Sequence, residues 1–179
     1  MQKLSMDQLN RVDIDTFKSQ EKTPLVIVLD NVRSMHNVGS AFRTADAFAV
    51  DRIILCGITA TPPHREIEKT ALGATQSVIW EYAKDSVEAV KKLQEEGFEV
   101  YAIEQTNNSI SLETFEPVVE KKYAVVFGNE VHGVEEDIIS IADGTLEIPQ
   151  FGTKHSFNVS VTIGIVLWDL INKTKFIKK

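Results

Sequence analysis

Three short stretches of this 179-residue chain gather the side chains that could bind or activate a polar substrate. The first runs from Asn31 to Ala45 and contains Arg33, Asn37, Gly39 and Arg43. The second, Phe127 to Val134, contains Gly128, Asn129, Glu130, His132 and Gly133. The third, Ile148 to Ser160, contains Pro149, Gly152, Lys154, His155, Ser156, Phe157 and Asn158. Amides and hydroxyls orient sugar hydroxyls and phosphates, a guanidinium stabilises an anion, and a carboxylate positions donors or takes a proton. Local readings stand beside these. Asn37 is a natural N-cap for the helix that follows it, and Ser156 could cap the C-terminal helix. Arg43 lies opposite the apolar stripe of its helix, with Ser40 and Ala47 as neighbours, where a guanidinium is either solvated or holds an anion. Asn158 is different, because a primary amide in the first turn of an otherwise apolar helix is costly to bury unpaired. It should bond to another loop or to a ligand.

Other chemistries lack their residues. Histidines 36, 64, 132 and 155, with Glu130 as a further candidate ligand, invite a metal reading, but no pair has the i, i+4 spacing of HExxH, so no metal is expected. Cys56 is the sole cysteine, which excludes an internal disulfide and a cysteine zinc cluster. It falls in the apolar run 52–56, where a buried thiol is expected. The second loop has neither the GxGxxG of dinucleotide sites nor the Gly-Lys-Ser/Thr of a P-loop, and no Gly-x-Ser-x-Gly elbow marks a serine hydrolase.

The elements that must position these loops alternate along the chain. Apolar runs at 25–29, 52–56, 98–104 and 123–127 have strand length, with shorter candidates at 77–80 and 145–148. Helical spacing covers 38–49, 84–97 and 135–142. A final helix over 156–172 is apolar nearly all round and should be buried, in part against another subunit. Its Ser160 and Gly164 would allow a close approach. An amphipathic helix over 4–20 opens with the capping-box pattern Ser5-x-x-Gln8 and ends before Thr23-Pro24. The alternation predicts an α/β fold, a parallel sheet with helices on both faces, and each of the three loops follows a strand, where ligands bind in such sheets. One domain over 23–179 with an N-terminal helical extension over 1–22 accounts for the length. No apolar run reaches the roughly 20 residues that span a bilayer, so a soluble, cytoplasmic protein is expected.

The formal charge of -7 argues at first against a nucleic-acid partner. The acidity is local, however. Residues 81–147 hold 16 acidic and 5 basic side chains, whereas 148–179 hold 1 acidic and 5 basic. RNA would need a basic face drawn from Arg33, Arg43, Arg65, Lys154 and the C-terminal lysines.

In this order, the three loops resemble the three motifs of the SpoU (TrmH) family of RNA 2'-O-ribose methyltransferases, of the SPOUT class. The first motif corresponds to Asn37-x-Gly39-x-x-x-Arg43-Thr44-Ala45 and the second to Phe127-Gly128-Asn129-Glu130-x-x-Gly133. The third corresponds to Ile148-Pro149 followed by Ser156-x-Asn158-x-Ser160. The likeness covers roughly 24–173. Phe157 departs from it, since the family usually has leucine there. The resemblance implies a parallel sheet flanked by helices with a C-terminal deep trefoil knot, which general topology rules would exclude. It also implies a homodimer, no metal, and S-adenosyl-L-methionine as methyl donor to RNA, with tRNA preferred over rRNA. The cofactor-binding residues would be Ile103, Glu104, Gln105, Gly128, Asn129, Ile148, Ser156 and Phe157. The catalytic set would be Arg43, reaching in from the partner subunit, with Asn37, Glu130, Ser156 and Asn158. Arg33, Arg65 and Lys154 would bind RNA. Two other readings stay open: a non-catalytic RNA- or cofactor-binding protein of the same fold, and a nucleotide-dependent α/β enzyme with an ordinary open sheet.

Overall fold

The computed structural model describes residues 2–5, 8 and 11–174. Seven strands form one sheet: β1 (Thr23–Asp30), β2 (Val50–Cys56), β3 (Trp80–Ala83), β4 (Phe98–Ile103), β5 (Ile110–Ser111), β6 (Lys122–Phe127) and β7 (Gly144–Glu147). Their spatial order is β3-β2-β1-β6-β4-β7-β5, and every pairing is parallel. The central strand β1 shows why its sequence is a continuous apolar run. Leu25, Ile27 and Leu29 point into one core, while Val26 and Val28 point into the other, so both faces of the pleat are covered.

The first core lies under α2 (Met35–Ala47), α3 (Arg65–Ala71), α4 (Ala74–Ser77) and α7 (Val159–Thr174). The second lies under α5 (Ser86–Glu95) and α6 (Glu136–Ile141). Of the helically spaced Val38, Ala41, Phe42, Ala45 and Phe48, the first four are buried in α2 and Phe48, at its C-cap, is half-buried. Position 39 of this helix must be glycine, because a Cβ there would sit 2.1 Å from Thr70 Oγ1 and 2.2 Å from the Ile67 carbonyl of α3.

Several sequence expectations are corrected. The cap of α2 is Ser34, whose hydroxyl accepts from Asn37 N; Asn37 sits one turn inside, which frees its amide for other partners. The C-terminal helix begins at Val159 and is capped by Asn158, not Ser156: Asn158 Oδ1 accepts from Ser160 N at 2.9 Å and its carbonyl accepts from Thr162 N at 2.9 Å. The 77–80 strand is displaced. Ser77 closes α4 and bonds to Asp46 at 2.5 Å, so pairing with β2 begins only at Trp80. The N-terminal helix is α1 (Ile14–Ser19), restarted by Asp13, whose carboxylate takes both Thr16 N and Thr16 Oγ1. Ser5 N does donate to Gln8 Oε1, half of the expected capping box, but residues 11–13 are not helical. Part of that predicted helix, at 6, 7, 9 and 10, lies outside the described residues, as do Lys175, Lys178 and Lys179. Helix α3 and strand β5 were not expected; both are short and lack an apolar period, and α3 is started by His64 Nδ1 accepting from Glu66 N. Among the described residues no helix is long and apolar enough to cross a membrane.

Candidate active site

A cavity of about 590 Å³ opens where β4, β6 and β7 end. The loop after β6 forms one wall. Asn129 and Gly133 pair across it through two 2.9 Å backbone bonds, so the chain doubles back within five residues. Glycine is needed at both ends of this turn. A Cβ on Gly128 would meet the Gly133 carbonyl carbon at 2.1 Å, and Gly133 has φ of +71°. The Glu104 carboxylate braces the turn from β4, accepting Val134 N at 3.1 Å with one oxygen and its neighbour Gln105 N at 2.9 Å with the other. The opposite wall is the loop from β7 to α7, whose return leg is held where Gln105 Nε2 donates to the His155 carbonyl at 3.2 Å.

One hydrogen-bonded relay joins the three loops. Glu130 Oε2 accepts from Arg33 N, and its Oε1 accepts from Ser34 N and Asn37 Nδ2, each at 2.9 Å. Asn37 Oδ1 then accepts from Asn158 Nδ2 at 3.2 Å, and Asn158 Oδ1 accepts from Ser160 N and, at 2.6 Å, from Ser160 Oγ. A carboxylate only accepts, so Glu130 fixes the orientation of both amides that follow. Burial pushes the Glu130 carboxyl upward, but the Arg33 and Ser34 amides and the Asn37 side chain outweigh it and hold it below its ordinary value of 4.5. The expectation that Asn158 bonds to another loop is met by Asn37. Asn129 adds a further tie, donating from Nδ2 to the Asn31 carbonyl at 2.8 Å.

Of the residues singled out from the sequence, Ile103, Glu104, Gln105, Gly128, Asn129, Ile148, Ser156 and Phe157 all line the cavity, and so do Glu130 and Asn158. Asn37 lies one bond behind the wall. Arg43 is not brought to the cavity: it is exposed on α2 and makes no hydrogen bond or ion pair among the described residues. Arg33, Arg65 and Lys154 are exposed too. Sequence reasoning passed over Glu147, Gln150, His155 and Thr162 as lining residues. Gln150 and His155 were within the third loop, and Thr162 is one helical turn after Asn158, so spacing could have found them. The bracing role of Glu104 had no local signal, because its partner lies 30 residues away.

The chemistry of the lining is selective. Ile103, Leu146, Ile148 and Phe157 offer an apolar surface, Glu104, Glu130 and Glu147 bring carboxylates, and neither lysine nor arginine is present. Such a cavity suits a ligand with a flat apolar part and a positive charge, and it opposes a polyphosphate.

Comparison with known proteins agrees with this geometry. A model of the SpoU rRNA Methylase family matches residues 24–168. A 23S rRNA (guanosine-2'-O-)-methyltransferase, RlmB, of Vibrio parahaemolyticus is 33% identical over 168 residues, 93% of this chain and 66% of that protein. The tRNA (guanosine(18)-2'-O)-methyltransferase of Thermus thermophilus is 30% identical over 162 residues, 90% of this chain and 81% of that protein. This chain thus spans just under two thirds of the Vibrio protein. Among solved structures, the A. aeolicus TrmH/SpoU tRNA modifying enzyme superposes with a TM-score of 0.78 at 26% identity, covering 90% of this chain and 80% of that one. The AdoMet-bound rRNA methyltransferase of Sinorhizobium meliloti gives 0.78 at 26%, covering 85% of this chain and 57% of that one. With its second and third motifs lining one cavity, its first motif joined to both through Asn37, and a match across most of its length, this chain belongs to the SpoU rRNA methylase family.

Proposed function

We propose that this chain methylates a ribose 2'-hydroxyl of structured RNA, with S-adenosylmethionine as donor. The observation that carries the reading is the cavity joined to the amide relay: carboxylates and apolar side chains without lysine or arginine in the walls, and Asn158 at the end of a fixed chain of bonds. The residues fit the donor. Ile148, Leu146 and Phe157 would flank adenine, Glu104 and Glu147 would face the positive charges, and the Gly128 turn would receive the ribose. When bound, the donor supplies an electrophilic methyl group on a sulfonium. Walls with three carboxylates and neither lysine nor arginine count against the nucleotide-dependent alternative.

The chain's own task is to align the ribose and ease loss of its proton. Ser156 and Asn158 would orient the sugar and its phosphate, with Asn37 setting the Asn158 amide and Glu130 setting Asn37. Arginine keeps its proton in proteins, its pKa exceeding about 12. Arg43 is therefore assigned to stabilising the developing alkoxide, while the proton leaves through phosphate or water. Because Arg43 stands away from its own cavity, it would act on the site of a partner subunit. An apolar face supports that homodimer: Val161 and Trp168 of α7 are exposed and, with Ile165 and Gly164, line a second depression beside Leu112 and Pro149. The trefoil knot is part of the same reading. Its support is the path of 148–158, which carries the chain from β7 to α7, seated against α2. Residues 23–179 would form the catalytic domain and 1–22 an extension anchored by the buried Phe17.

We favour tRNA as substrate because the likeness runs over 81% of the Thermus tRNA enzyme and 66% of the Vibrio rRNA enzyme. The test is transfer of labelled methyl from S-adenosylmethionine into unfractionated RNA, followed by separation of tRNA from rRNA. Label in a tRNA ribose, lost in Arg43→Ala while S-adenosylhomocysteine still binds, is expected. Label in rRNA would move the substrate, and full activity of the mutant would remove Arg43 from the mechanism. Cofactor binding without transfer would favour the non-catalytic reading.

A further inference from the structure

The loop between β7 and α7 carries an aromatic ring that the cavity does not use. Phe157 lies in the cavity wall and is 43% exposed; Phe151 is 97% exposed and does not line the cavity. A phenyl ring left almost wholly in water forgoes its transfer free energy, which a flat apolar partner would recover. Every residue from Phe151 to Asn158 is exposed, and a Cβ on the adjacent Gly152 would have nothing within 4 Å. The loop's position is nonetheless fixed. The side-chain amides of Gln105 and Gln150 both donate to the His155 carbonyl, at 3.2 and 3.5 Å, which ties the return leg to the cavity rim. Phe151 is thereby held beside the mouth of the cavity.

Charge identifies the kind of partner. In a chain of net charge -7, residues 148–158 contain no carboxylate, and Lys154 is their single formal charge. An exposed ring three residues from a lone cation, on a segment cleared of acids, matches a nucleobase face with its phosphate. We propose that Phe151 is a stacking platform for an unpaired base of the RNA next to the reacting nucleotide, with Lys154 on the adjoining phosphate. This rests on the methyltransferase reading and adds to it that the target lies in a loop or other unstacked stretch rather than within a continuous helix.

The test uses the full chain with wild type, Phe151→Tyr, Phe151→Leu and Lys154→Gln. Affinity for tRNA and rRNA fractions is measured as a function of salt, S-adenosylhomocysteine affinity by calorimetry, and oligomeric state by sedimentation. Tyrosine keeps a π-face and should bind RNA as wild type does. Leucine keeps an apolar surface without one and should weaken RNA binding about 10-fold. Lys154→Gln should lower the salt slope by about one. Cofactor affinity and oligomeric state should not move. RNA affinity of Phe151→Leu equal to wild type overturns the platform while the methyltransferase reading stands. A change in oligomeric state with Phe151→Leu assigns the ring to a contact between two copies and overturns it too. Wild type that binds cofactor but neither RNA fraction overturns both readings together.

Discussion

Replacing Glu130 by glutamine tests whether the relay depends on a group that only accepts. The carboxylate takes three donors at 2.9 Å, two of them backbone amides at the start of α2. Glutamine has one accepting oxygen, so either the Arg33 amide or the Ser34 and Asn37 donors must face an NH2 group. A hydrogen bond to a charged group contributes roughly 1.5–3 kcal/mol, and a donor left unpaired costs about 1–3 kcal/mol. The Glu130 side chain is partly open to water, so the lower end applies, and Glu130→Gln should lose about 1–2 kcal/mol of stability at pH 7. The pH dependence carries the sharper signature. Glu130 is held below its ordinary 4.5 by the amides, so its ionised form stabilises the native state above the unfolded value, and that contribution fades as pH falls through the lower folded value. Protonated Glu130 resembles glutamine. Urea unfolding from pH 7 down to the acid limit of folding should therefore show the wild-type advantage shrinking below pH about 4.5. Equal stabilities at pH 7, or a difference that stays constant through the carboxylate range, would refute the relay as an anion-directed structure.

Gly128→Ala should lower stability by about 2–3 kcal/mol and weaken S-adenosylhomocysteine binding, since its Cβ would meet the Gly133 backbone at 2.1–2.2 Å and no flexible side chain can yield; thermal unfolding and calorimetry check this, and a wild-type melting temperature would contradict it. Cys56 is fully buried, and desolvation first, with the nearby Asp30 charge, raises its thiol to about 12, against a weaker opposing bond from Ser86. At pH 8 a disulfide reagent should therefore leave the native protein unmodified and react within seconds after denaturation; fast labelling of the folded chain would show that the interior there opens.

The central strands were legible because both of their faces are buried, which writes a continuous apolar run into the sequence, as in Leu25–Leu29 and Tyr123–Phe127. The candidate site was legible to the extent that loops follow strands. Ser156, Phe157 and Asn158 were found by their place in one segment, and Glu104 and Gln105 by the family likeness. What a single stretch cannot express is which end of a polar group meets which partner. Asn37 looked like a cap because amides at helix starts commonly are. Only when Ser34 took the capping role, and the loop after β6 brought a carboxylate 93 residues away in sequence to within 2.9 Å, did its amide become the link between two loops. Asn158 was expected to need a partner and did acquire one; its identity, 121 residues away, came from the fold. The sequence by itself determined the alternation of elements, the residue types around the site and the burial of Cys56. The tertiary structure decided the capping residues, the joining of three loops by Glu130, Asn37 and Asn158, and the separation of Arg43 from the cavity of its own chain. Hydrophobic burial is set by local pattern, whereas a hydrogen bond needs two particular atoms in register, and only the folded chain supplies the second.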